Sequence, residues 1–329
     1  MSMEPAQFQA DMAYQQSILT AVSRTFALTI PLLPQRLESV VGNTYLLCRM
    51  IDTVEDAPKL SIQDKHTLSR LFLKAVQGEI PVMDFVKPCL LALENHPNRD
   101  EYELIANTPT VLRIFHRFSK DEQAAISRCV DIMSQGMLRF HEKQTLLGLR
   151  DLAEFEEYCY VVAGVVGEML TSVFAAHSAE FARAIQGRES LAVSFGQALQ
   201  MTNILKDSPE DSARGVSWKP QGFSQRALLG IADQKITDSM QYITLIPKNE
   251  LGIRRFCFLA LGLAVLTLGK IANRDRFGSG NEVKLSRKTV WLFYYFTQLA
   301  ARSDFLMRQF CALAGRPIRR ALRAPTAKT

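Results

Sequence analysis

The chain has 329 residues, of which 47% are hydrophobic and 22% are charged, and this composition excludes a disordered, collagen-like or coiled-coil protein. Lysine and arginine total 39 against 33 acidic residues, which gives a net charge of +6. This mild excess suits acidic or phosphorylated substrates or loose contact with an anionic surface. Because no basic groove pattern accompanies it, nucleic acid is not an expected partner.

Apolar residues recur at helical spacing along the chain, and no alternating strand pattern or NG or DG hairpin turn interrupts them. The sequence therefore predicts an all-α protein. No linker is rich enough in Gly, Ser or Pro to divide it, so one helical domain over 1–314 is the simplest interpretation. In chain order the predicted helices are 8–22, 36–55, 62–77, 82–94, 101–117, 121–146, 151–176, 188–207, 224–245, 251–273 and 287–313.

Three features indicate the compartment. Six cysteines occur without any CxxC pair, which favours reduced, buried thiols and a cytoplasmic protein without structural zinc. The N-terminal residues lack the basic-then-apolar order of a secretion signal. The longest apolar stretch, 257–269, is shorter than the roughly 20 residues that span a bilayer, so it predicts a buried helix.

The C-terminal residues 315–329 are basic and contain no acid. One interpretation is a frayed, solvated end. The other is an electrostatic tether to anionic lipid on the inner face of the membrane, each cation contributing roughly 1 kcal/mol. The cations are Arg316, Arg319, Arg320, Arg323 and Lys328.

The first acidic constellation is RMIDTVEDAP at 49–58. Asp52 and Asp56 are four residues apart, so on a helix they stack on one face, and Glu55 flanks that face. Like charges at this spacing destabilise a helix, so a cation is expected to compensate. Mg²⁺ is suited to that task because it binds one or two carboxylates together with phosphate and water oxygens.

The second constellation is QMTNILKDSPEDSARG at 200–215, in which Asn203, Asp207 and Asp211 step by four. Pro209 predicts that the helix kinks or ends near residue 208, because proline lacks an N–H and clashes with the preceding turn. Asp211 is therefore expected to reach the cluster from a loop, with Glu210 as the neighbour that could replace it.

Each cluster alone is also compatible with a solvated acidic face. Both follow apolar segments, and each has a nearby cation, Arg49 or Lys206. Two carboxylate sets holding Mg²⁺ around a diphosphate would neutralise its charge and help it leave. Other chemistries find no support, since the chain has no HExxH, P-loop or GxSxG motif, and the FGSG at 277–280 follows no strand.

Four strings then carry a family resemblance: SRTFALTIPLLP at 23–34, DTVED at 52–56, EYCYVVAGVVGEML at 157–170 and NILKDSPED at 203–211. The chain resembles the squalene/phytoene synthase family from about residue 15 to about residue 290. The resemblance implies the isoprenoid-synthase helical fold, with two aspartate-rich helices facing each other across a central cavity. It also implies head-to-head joining of two prenyl diphosphates through a cyclopropyl diphosphate.

Within the family, residues 115–140, 256–268 and 282–288 are most similar to the squalene branch. That similarity implies two farnesyl diphosphates as substrates, Mg²⁺ and NADPH as cofactors, and squalene as the product, for sterol or hopanoid biosynthesis. A monomer is expected. Dehydrosqualene, hydroxysqualene and phytoene synthases, which lack the reduction, remain alternatives. A non-catalytic assembly factor is disfavoured by the two intact acid sets, and a terpene cyclase is disfavoured by the SRTF and YCYVVAG motifs.

The resemblance also assigns roles to residues. Tyr158 would assist diphosphate departure, and Tyr45 would share the cavity-facing stripe of Arg49. The aspartates of both sets would be catalytic as metal ligands. The metal ligands would be Asp52, Glu55, Asp56, Asn203, Asp207 and Asp211. The substrate-binding residues would be Ser23, Thr25, Phe26, Gln200, Asn203 and Phe256. The phosphates of the substrate or of NADPH would contact Arg24, Arg49, Lys206, Lys284 and Arg287.

The sequence departs from the family pattern at three places. Lys206 stands where arginine is usual, which keeps the charge but loses the bidentate fork. Val216 stands where many members have arginine, and Arg214 is a possible replacement. Residues 281–288 need a one-residue shift to bring Lys284 and Arg287 into register. In AGVVG, Gly164 and Gly167 are interpreted as sites of close helix packing or as space for a prenyl chain.

Overall fold

Helices dominate the structure, a computed structural model that describes residues 5–23, 25–274 and 276–323. These residues contain no β-strand. Leu149 and Pro220 form an isolated parallel β-bridge. The all-α prediction is therefore confirmed. Residue contacts divide the chain into two compact units, Met1–Glu142 and Lys143–Thr329. The single domain over 1–314 stays a prediction.

The first unit is built around α3, whose apolar side chains are buried on several sides. Leu47, Ile51 and Val54 are almost fully enclosed, because α3 packs against α1, α4, α6, α7 and α8. The helices of this unit are α1 (Pro5–Val22), α2 (Phe26–Thr29), α3 (Gln35–Glu55), α4 (Ile62–Gln77), α5 (Met83–Ala92), α6 (Arg99–Ala106), α7 (Thr108–Phe115) and α8 (Lys120–His141).

Local capping signals set the ends of α4 and α8. The Ser61 hydroxyl accepts a hydrogen bond from the backbone of Asp64 at the start of α4, and Gly78 ends that helix with φ 76°, a conformation suited to glycine. Ser119 and Glu122 form a reciprocal capping box at the start of α8. The predicted starts at 62 and 121 are accordingly confirmed to within one residue.

The second unit is built around α12 and α14. α12 packs against α10, α13 and α14, and α14 also packs against α16, α17 and α18. The helices of this unit are α9 (Leu152–Cys159), α10 (Val165–His177), α11 (Ala179–Ile185), α12 (Ser190–Ala213), α13 (Gln225–Leu245), α14 (Leu251–Ala272), α15 (Gly280–Val283), α16 (Arg287–Ala300), α17 (Asp304–Ala314) and α18 (Arg316–Arg323). A π-helical segment, Tyr160–Gly164, joins α9 to α10.

Two segments, Leu152–His177 and Leu251–Ala272, are long and apolar enough to cross a membrane. Within their most apolar stretches, 56% and 67% of the residues are buried in the structure. Burial of this extent is what a core helix shows. The prediction that residues 257–269 form a buried helix is confirmed, because Cys257, Leu261 and Leu268 lie on α14 and are completely buried.

Two predicted helices are each divided in the structure. The segment 101–117 forms α6 and α7, with a break at Asn107, because Pro109 fits the first turn of a new helix but not a helix interior. The segment 287–313 forms α16 and α17, with Ser303 capping the second helix. No predicted helix covers the short helices α2, α11 and α15.

Part of the basic C-terminal segment is folded. Residues 316–323 form α18, which packs against α13 and α14 and buries Ile318 completely. The guanidinium of Arg226 donates a hydrogen bond to the carbonyl of Leu322 and ties down the end of this helix. The frayed-end interpretation is therefore wrong for 316–323. Residues 324–329 lie outside the described residues.

Candidate active site

In the first unit, the predicted pair Tyr45 and Arg49 is in direct contact on α3. Arg49 Nη2 donates to the Tyr45 hydroxyl at 2.9 Å, and that hydroxyl donates to the carbonyl of Val22 at 3.2 Å. The Phe26 ring lies 5.1 Å from the Tyr45 ring, between centroids. The structure thus brings three predicted site residues together, on the side of α3 where α1 ends.

Arg49 is also held by carboxylates. Its Nη1 lies 3.7 Å from Asp52 Oδ2 and 4.0 Å from Glu101 Oε1. Its Nε is buried and has no hydrogen-bond partner among the described residues. Because 28% of the Arg49 side chain is exposed, its guanidinium is suited to receive an anion such as phosphate.

Burial raises the pKa of Asp52 to about 7. The charge of Arg49 opposes this shift, and the carboxylates of Asp56 and Glu55 reinforce it. About a quarter of the Asp52 side chain is nevertheless exposed, so a ligand can reach it. The repulsion expected from the acidic spacing is therefore present, and a bound cation would relieve it.

Glu55 has a protein partner that the sequence did not indicate. Its carboxylate lies 2.6 Å from His141 Nδ1 on α8, and the His141 Nε2 lies 3.0 Å from Lys65 Nζ on α4. Lys65 also donates to the Glu55 carbonyl. This buried network ties the end of α3 to its neighbours, and the role of Glu55 as a metal ligand stays a prediction. Asp56, one residue on, is exposed at the end of α3.

In the second unit, α12 continues through Pro209 to Ala213, so the predicted end of the helix near residue 208 is wrong, and the alternative, a kink there, stays a prediction. The buried side chains of Leu205 and Asp211 flank the proline and hold the helix on both sides of it. Tertiary packing thereby overrides the lost hydrogen bond. Asp211 consequently belongs to the helix, on the same face as Asn203 and Asp207, and not to a loop.

The cations near this face are paired with its acids. Lys206 Nζ lies 3.2 Å from Asp207 Oδ2, and Arg214 donates to Asp211 at 2.5 Å. Burial raises the pKa of Asp211, although the hydrogen bond from Arg214 opposes the shift. The replacement of a family arginine at residue 216 by Arg214 stays a prediction.

A cleft of about 570 Å³ lies along this face of α12. Tyr158 of α9 borders it, and its ring stacks on Trp218 with centroids 4.3 Å apart and planes 4° from parallel. Trp218 is a site residue that the sequence analysis missed, although it is one of two tryptophans in the chain. The lining residues are Tyr158, Gln200, Asn203, Ile204, Asp207, Glu210, Asp211, Ala213, Arg214 and Trp218.

Two glycines allow the helical segment after Tyr158 to pack closely against α12. A Cβ at Gly167 would lie 2.0 Å from the Ala192 carbonyl oxygen, and a Cβ at Gly196 would lie 2.0 Å from the Ala163 oxygen. The helical segment that follows Tyr158 therefore touches α12 backbone to backbone. The close-packing interpretation of Gly167 is confirmed, and Gly196 is the partner that the sequence analysis missed.

Glu210 holds the loop that leads to two of the predicted phosphate contacts. Its carboxylate accepts hydrogen bonds from the Ser279 hydroxyl at 2.8 Å and from the Gly280 amide at 2.9 Å. These bonds lower the pKa of Glu210. Lys284 and Arg287, which follow this loop, are exposed and do not line the cleft.

The remaining predicted substrate-binding residues differ in how deeply they are buried. Ser23 is buried, and its hydroxyl accepts a hydrogen bond from the Phe26 amide at 3.0 Å, while Thr25 is exposed. Phe256 is in the core of the second unit, 6.2 Å from the Phe174 ring between centroids. Arg24 lies outside the described residues. The substrate and phosphate roles of these residues stay predictions.

Comparison with known proteins assigns the family. The sequence model of the squalene/phytoene synthase family matches residues 19–227, which is more than half of the chain. The chain belongs to the squalene/phytoene synthase family. The resemblance seen in the sequence motifs is thereby confirmed.

Relatives and solved structures agree with this family. The chain is 26% identical over 317 residues to the squalene synthase of Schizosaccharomyces pombe, covering 88% of this chain and 66% of that protein. It is 28% identical to the squalene synthase ERG9 of Saccharomyces cerevisiae, covering 83% and 64%. The chain thus spans slightly less than two thirds of the length of these relatives.

The fold is shared with two solved structures. One is a complex of TcSQS with a ligand, with TM-score 0.72 and 20% identity, covering 94% of this chain and 99% of the other. The other is a dehydrosqualene synthase in complex with a ligand, with TM-score 0.62 and 20% identity, covering 89% and 97%. At this level of identity the likeness concerns the fold alone.

Proposed function

We propose that the chain is a Mg²⁺-dependent squalene synthase, which joins two farnesyl diphosphates head to head and reduces the resulting cyclopropylcarbinyl diphosphate with NADPH. The observation that carries the proposal is the cleft of the second unit, where Tyr158 and the acids of α12 border one space. Five residues assigned from the family motifs line it: Tyr158, Gln200, Asn203, Asp207 and Asp211.

The donor set fits Mg²⁺. Among the described residues, no three His, Cys, Asp or Glu side chains lie close enough to hold a metal ion by themselves. Mg²⁺ does not need such a cage, since it binds through one or two carboxylates and completes its shell with substrate phosphate and water. Each unit has its own proposed ligands. In the second unit they are Asn203, Asp207 and Asp211, and in the first unit they are Asp52, Glu55 and Asp56. When bound, the ion neutralises phosphate charge and eases the departure of diphosphate.

The chain's own residues supply the other tasks. Arg49, fixed by Tyr45 and two carboxylates, offers its guanidinium to a phosphate group. Tyr158 is held in the cleft by the Trp218 ring, and its hydroxyl would hold a proton for the departing diphosphate. The departing group takes both electrons of the C–O bond. The allylic cation that remains is attacked by the double bond of the second farnesyl chain, which then loses a proton to form the cyclopropane ring.

For NADPH, the suited groups are the exposed cations Lys284 and Arg287, whose chemistry fits phosphate. When bound, NADPH supplies the hydride that converts the rearranged cation to squalene. The assignment of these two residues rests on the family resemblance.

Product analysis tests the proposal. The purified chain is incubated with farnesyl diphosphate and Mg²⁺, with and without NADPH, and the lipid extract is analysed by mass spectrometry. Squalene that forms only with NADPH is the expected result. A product unchanged by NADPH, or selective use of the C20 diphosphate, would contradict the proposal.

A dehydrosqualene, hydroxysqualene or phytoene synthase activity is the second candidate. It is favoured by one observation, since Lys284 and Arg287 lie outside the cleft that contains Tyr158. The same incubation distinguishes these products from squalene by mass and by NADPH dependence.

We further propose that the enzyme acts as a cytoplasmic monomer and touches the inner face of the membrane through the basic residues after 314. The distribution of the full chain between soluble and membrane fractions, before and after a salt wash, tests this location. Loss from the membrane in high salt is expected, because screening weakens electrostatic binding.

A further inference from the structure

Helices α16 and α17 expose large apolar side chains that the proposed chemistry does not use. Of the twelve large apolar side chains that are exposed in the described part of the chain, seven lie on these two helices. Soluble proteins rarely leave a large contiguous apolar patch in water without a function for it. The seven are Trp291, Leu292, Tyr295, Leu299, Phe305, Leu306 and Leu313.

The exposed residues form a second apolar face on a helix that already has one. Phe293, Thr297 and Ala300 are buried, and the Phe293 ring stacks on Phe310 with centroids 4.5 Å apart. That buried face accounts for the packing of α16 against α14. Trp291, Tyr295 and Leu299 follow one another by four residues on the exposed side, with exposed fractions of 48%, 65% and 68%. Folding of the unit does not account for them.

Cations border this face. Lys288 lies one turn before Trp291, and Arg302 lies one turn after Leu299, and both are exposed. Arg308 on α17 is exposed as well, and donates to the Thr244 hydroxyl. From 287 to 323 the sequence contains a single acid, Asp304, which is paired with the buried Arg254. The surface therefore combines Trp, Tyr and Leu with uncompensated positive charge.

We propose that this face of α16 and α17 binds the surface of an anionic lipid bilayer. Tryptophan and tyrosine favour the headgroup level, and leucine and phenylalanine favour the acyl boundary beneath it. Trp291, Tyr295 and Leu299 form an exposed apolar stripe on α16. A lysine and an arginine at the two ends of this stripe complement anionic headgroups. A second copy of the chain is a poorer occupant, since a two-fold interface would place the cations of one copy near those of the other.

The test uses the full chain and vesicles of phosphatidylcholine, with or without about one third phosphatidylglycerol. Flotation is expected to show binding to the anionic vesicles. Replacing the stripe by Tyr295→Ser and Leu299→Ser should weaken that binding at least tenfold. The matched control, Leu146→Ser with Leu147→Ser, changes two leucines that are 63% and 76% exposed elsewhere, and it should bind as the unchanged chain does.

A charge variant gives a second measure. Lys288→Ala with Arg302→Ala should weaken binding on the order of 25-fold, because each cation near an anionic surface contributes about a factor of five. Lys59→Ala with Lys143→Ala removes two exposed lysines that lie outside α16 and α17 as a control. The emission of Trp291 should shift to shorter wavelength on the vesicles, and Trp291→Phe should abolish the shift.

Three outcomes would overturn the proposal. One is failure of the folded chain to bind anionic vesicles. Another is binding that survives the stripe variants but is lost in Arg316→Ala, Arg320→Ala and Arg323→Ala, because the C-terminal segment would then be responsible. The third is a stripe variant that changes the mass of the particle by light scattering while vesicle binding is unaltered, since the face would then hold a protein partner. Circular dichroism verifies that each variant is folded.

Discussion

Buried acids near positive groups characterise the candidate site at the scale of single residues. Burial raises the pKa of both Asp52 and Asp211, and a neighbouring arginine opposes the shift in each case. Asp207, between Asn203 and Asp211 on α12, is 43% exposed and borders the cleft, so a ligand can approach it. The chemistry of these oxygen atoms is that of a site for a hard cation and its phosphate ligand.

Asp207→Asn should abolish most of the turnover of farnesyl diphosphate while the helical circular dichroism is unchanged. The amide keeps the shape but removes the charge that a metal ion requires, so we expect a loss on the order of 10² to 10³ in kcat, as for the removal of a preorganised electrostatic group. Asp52→Asn should reduce turnover in the same way and also leave the circular dichroism unchanged. The control Asp121→Asn, an exposed acid on α8, should retain activity. Normal activity in either site variant would refute the proposed metal ligands.

A second residue-scale prediction concerns stability and pH. Asp11 is buried, and Arg113 donates to both of its carboxylate oxygens, at 2.7 Å and 3.0 Å. Burial raises the pKa of Asp11, but the hydrogen bonds from Arg113 and Gln7 outweigh burial and leave the pKa below 3.8. The ionised form is thus stabilised by folding. Its contribution is present above about pH 4 and is lost as the pH falls through the lowered value.

Asp11→Asn should therefore lower the free energy of unfolding by about 1–3 kcal/mol near pH 7, because a charged hydrogen-bonded pair is broken. The difference from the unchanged chain should shrink as the pH falls below 3.8 and through the lowered pKa of Asp11. Urea unfolding at several pH values measures both quantities, and Glu79→Gln, an exposed acid, serves as the control. A difference that stays constant across this range would contradict the proposed role of the ionised carboxylate.

At the scale of helices, contact between backbones shapes the cleft. Gly167 and Gly196 let the segment after Tyr158 approach α12 without intervening side chains. Tyr158 lies two residues before the first residue of a π-helical segment, a distortion often found at functional sites. The position of Tyr158 relative to Asn203 and Asp207 therefore depends on residues that take no part in the chemistry.

Gly196→Ala should destabilise the second unit and reduce activity together. The added Cβ would lie 2.0 Å from the Ala163 oxygen, so α12 must shift, and we expect a cost of about 1–3 kcal/mol or more. Gly230→Ala is the matched control. There the new Cβ meets its nearest neighbour at 3.5 Å, and alanine is the better helix former by about 0.5–1 kcal/mol. Thermal unfolding followed by circular dichroism should rank the control above the unchanged chain and Gly196→Ala below it. Equal stability of the two variants would contradict this account of the packing.

Helices that repeat their apolar pattern over several turns could be predicted from the sequence, because burial of one face dominates their stability. α4, α13 and α14 are examples, with ends close to the predicted ones. Short elements such as α11 and α15 have too few turns for a pattern. The fate of Pro209 could not be predicted locally, since burial of Leu205 and Asp211 decides it.

In the candidate site, too, local features could be predicted from the sequence and contacts between distant residues could not. The spacing of Asn203, Asp207 and Asp211 is a local property of one helix, so it could be predicted. The contact of Trp218 with Tyr158, the contact of Glu55 with His141 and the hydrogen bonds of Glu210 join residues far apart in sequence. Only the folded chain brings these pairs together.

At the scale of the whole molecule, α14 is the apolar centre of the second unit, and it contains a fully buried cation. Arg254 donates to the carbonyls of Ala301 and Ile246 and to the carboxylate of Asp304. These bonds join α14 to the turn between α16 and α17 and to the end of α13. A helix apolar enough to span a membrane is in this way bound by polar contacts to its own unit.

Arg254→Met should lower the free energy of unfolding of the full chain by about 3–5 kcal/mol, because two buried carbonyls and one carboxylate lose their donor. Arg255→Met, one residue later, is the matched control. Within the described part of the chain, Arg255 makes one long hydrogen bond, 3.4 Å to the Gln298 carbonyl, so its loss should cost about 1 kcal/mol. Urea unfolding followed by circular dichroism compares the two variants. If Arg254→Met were as stable as Arg255→Met, the buried guanidinium would not hold α14 to its neighbours.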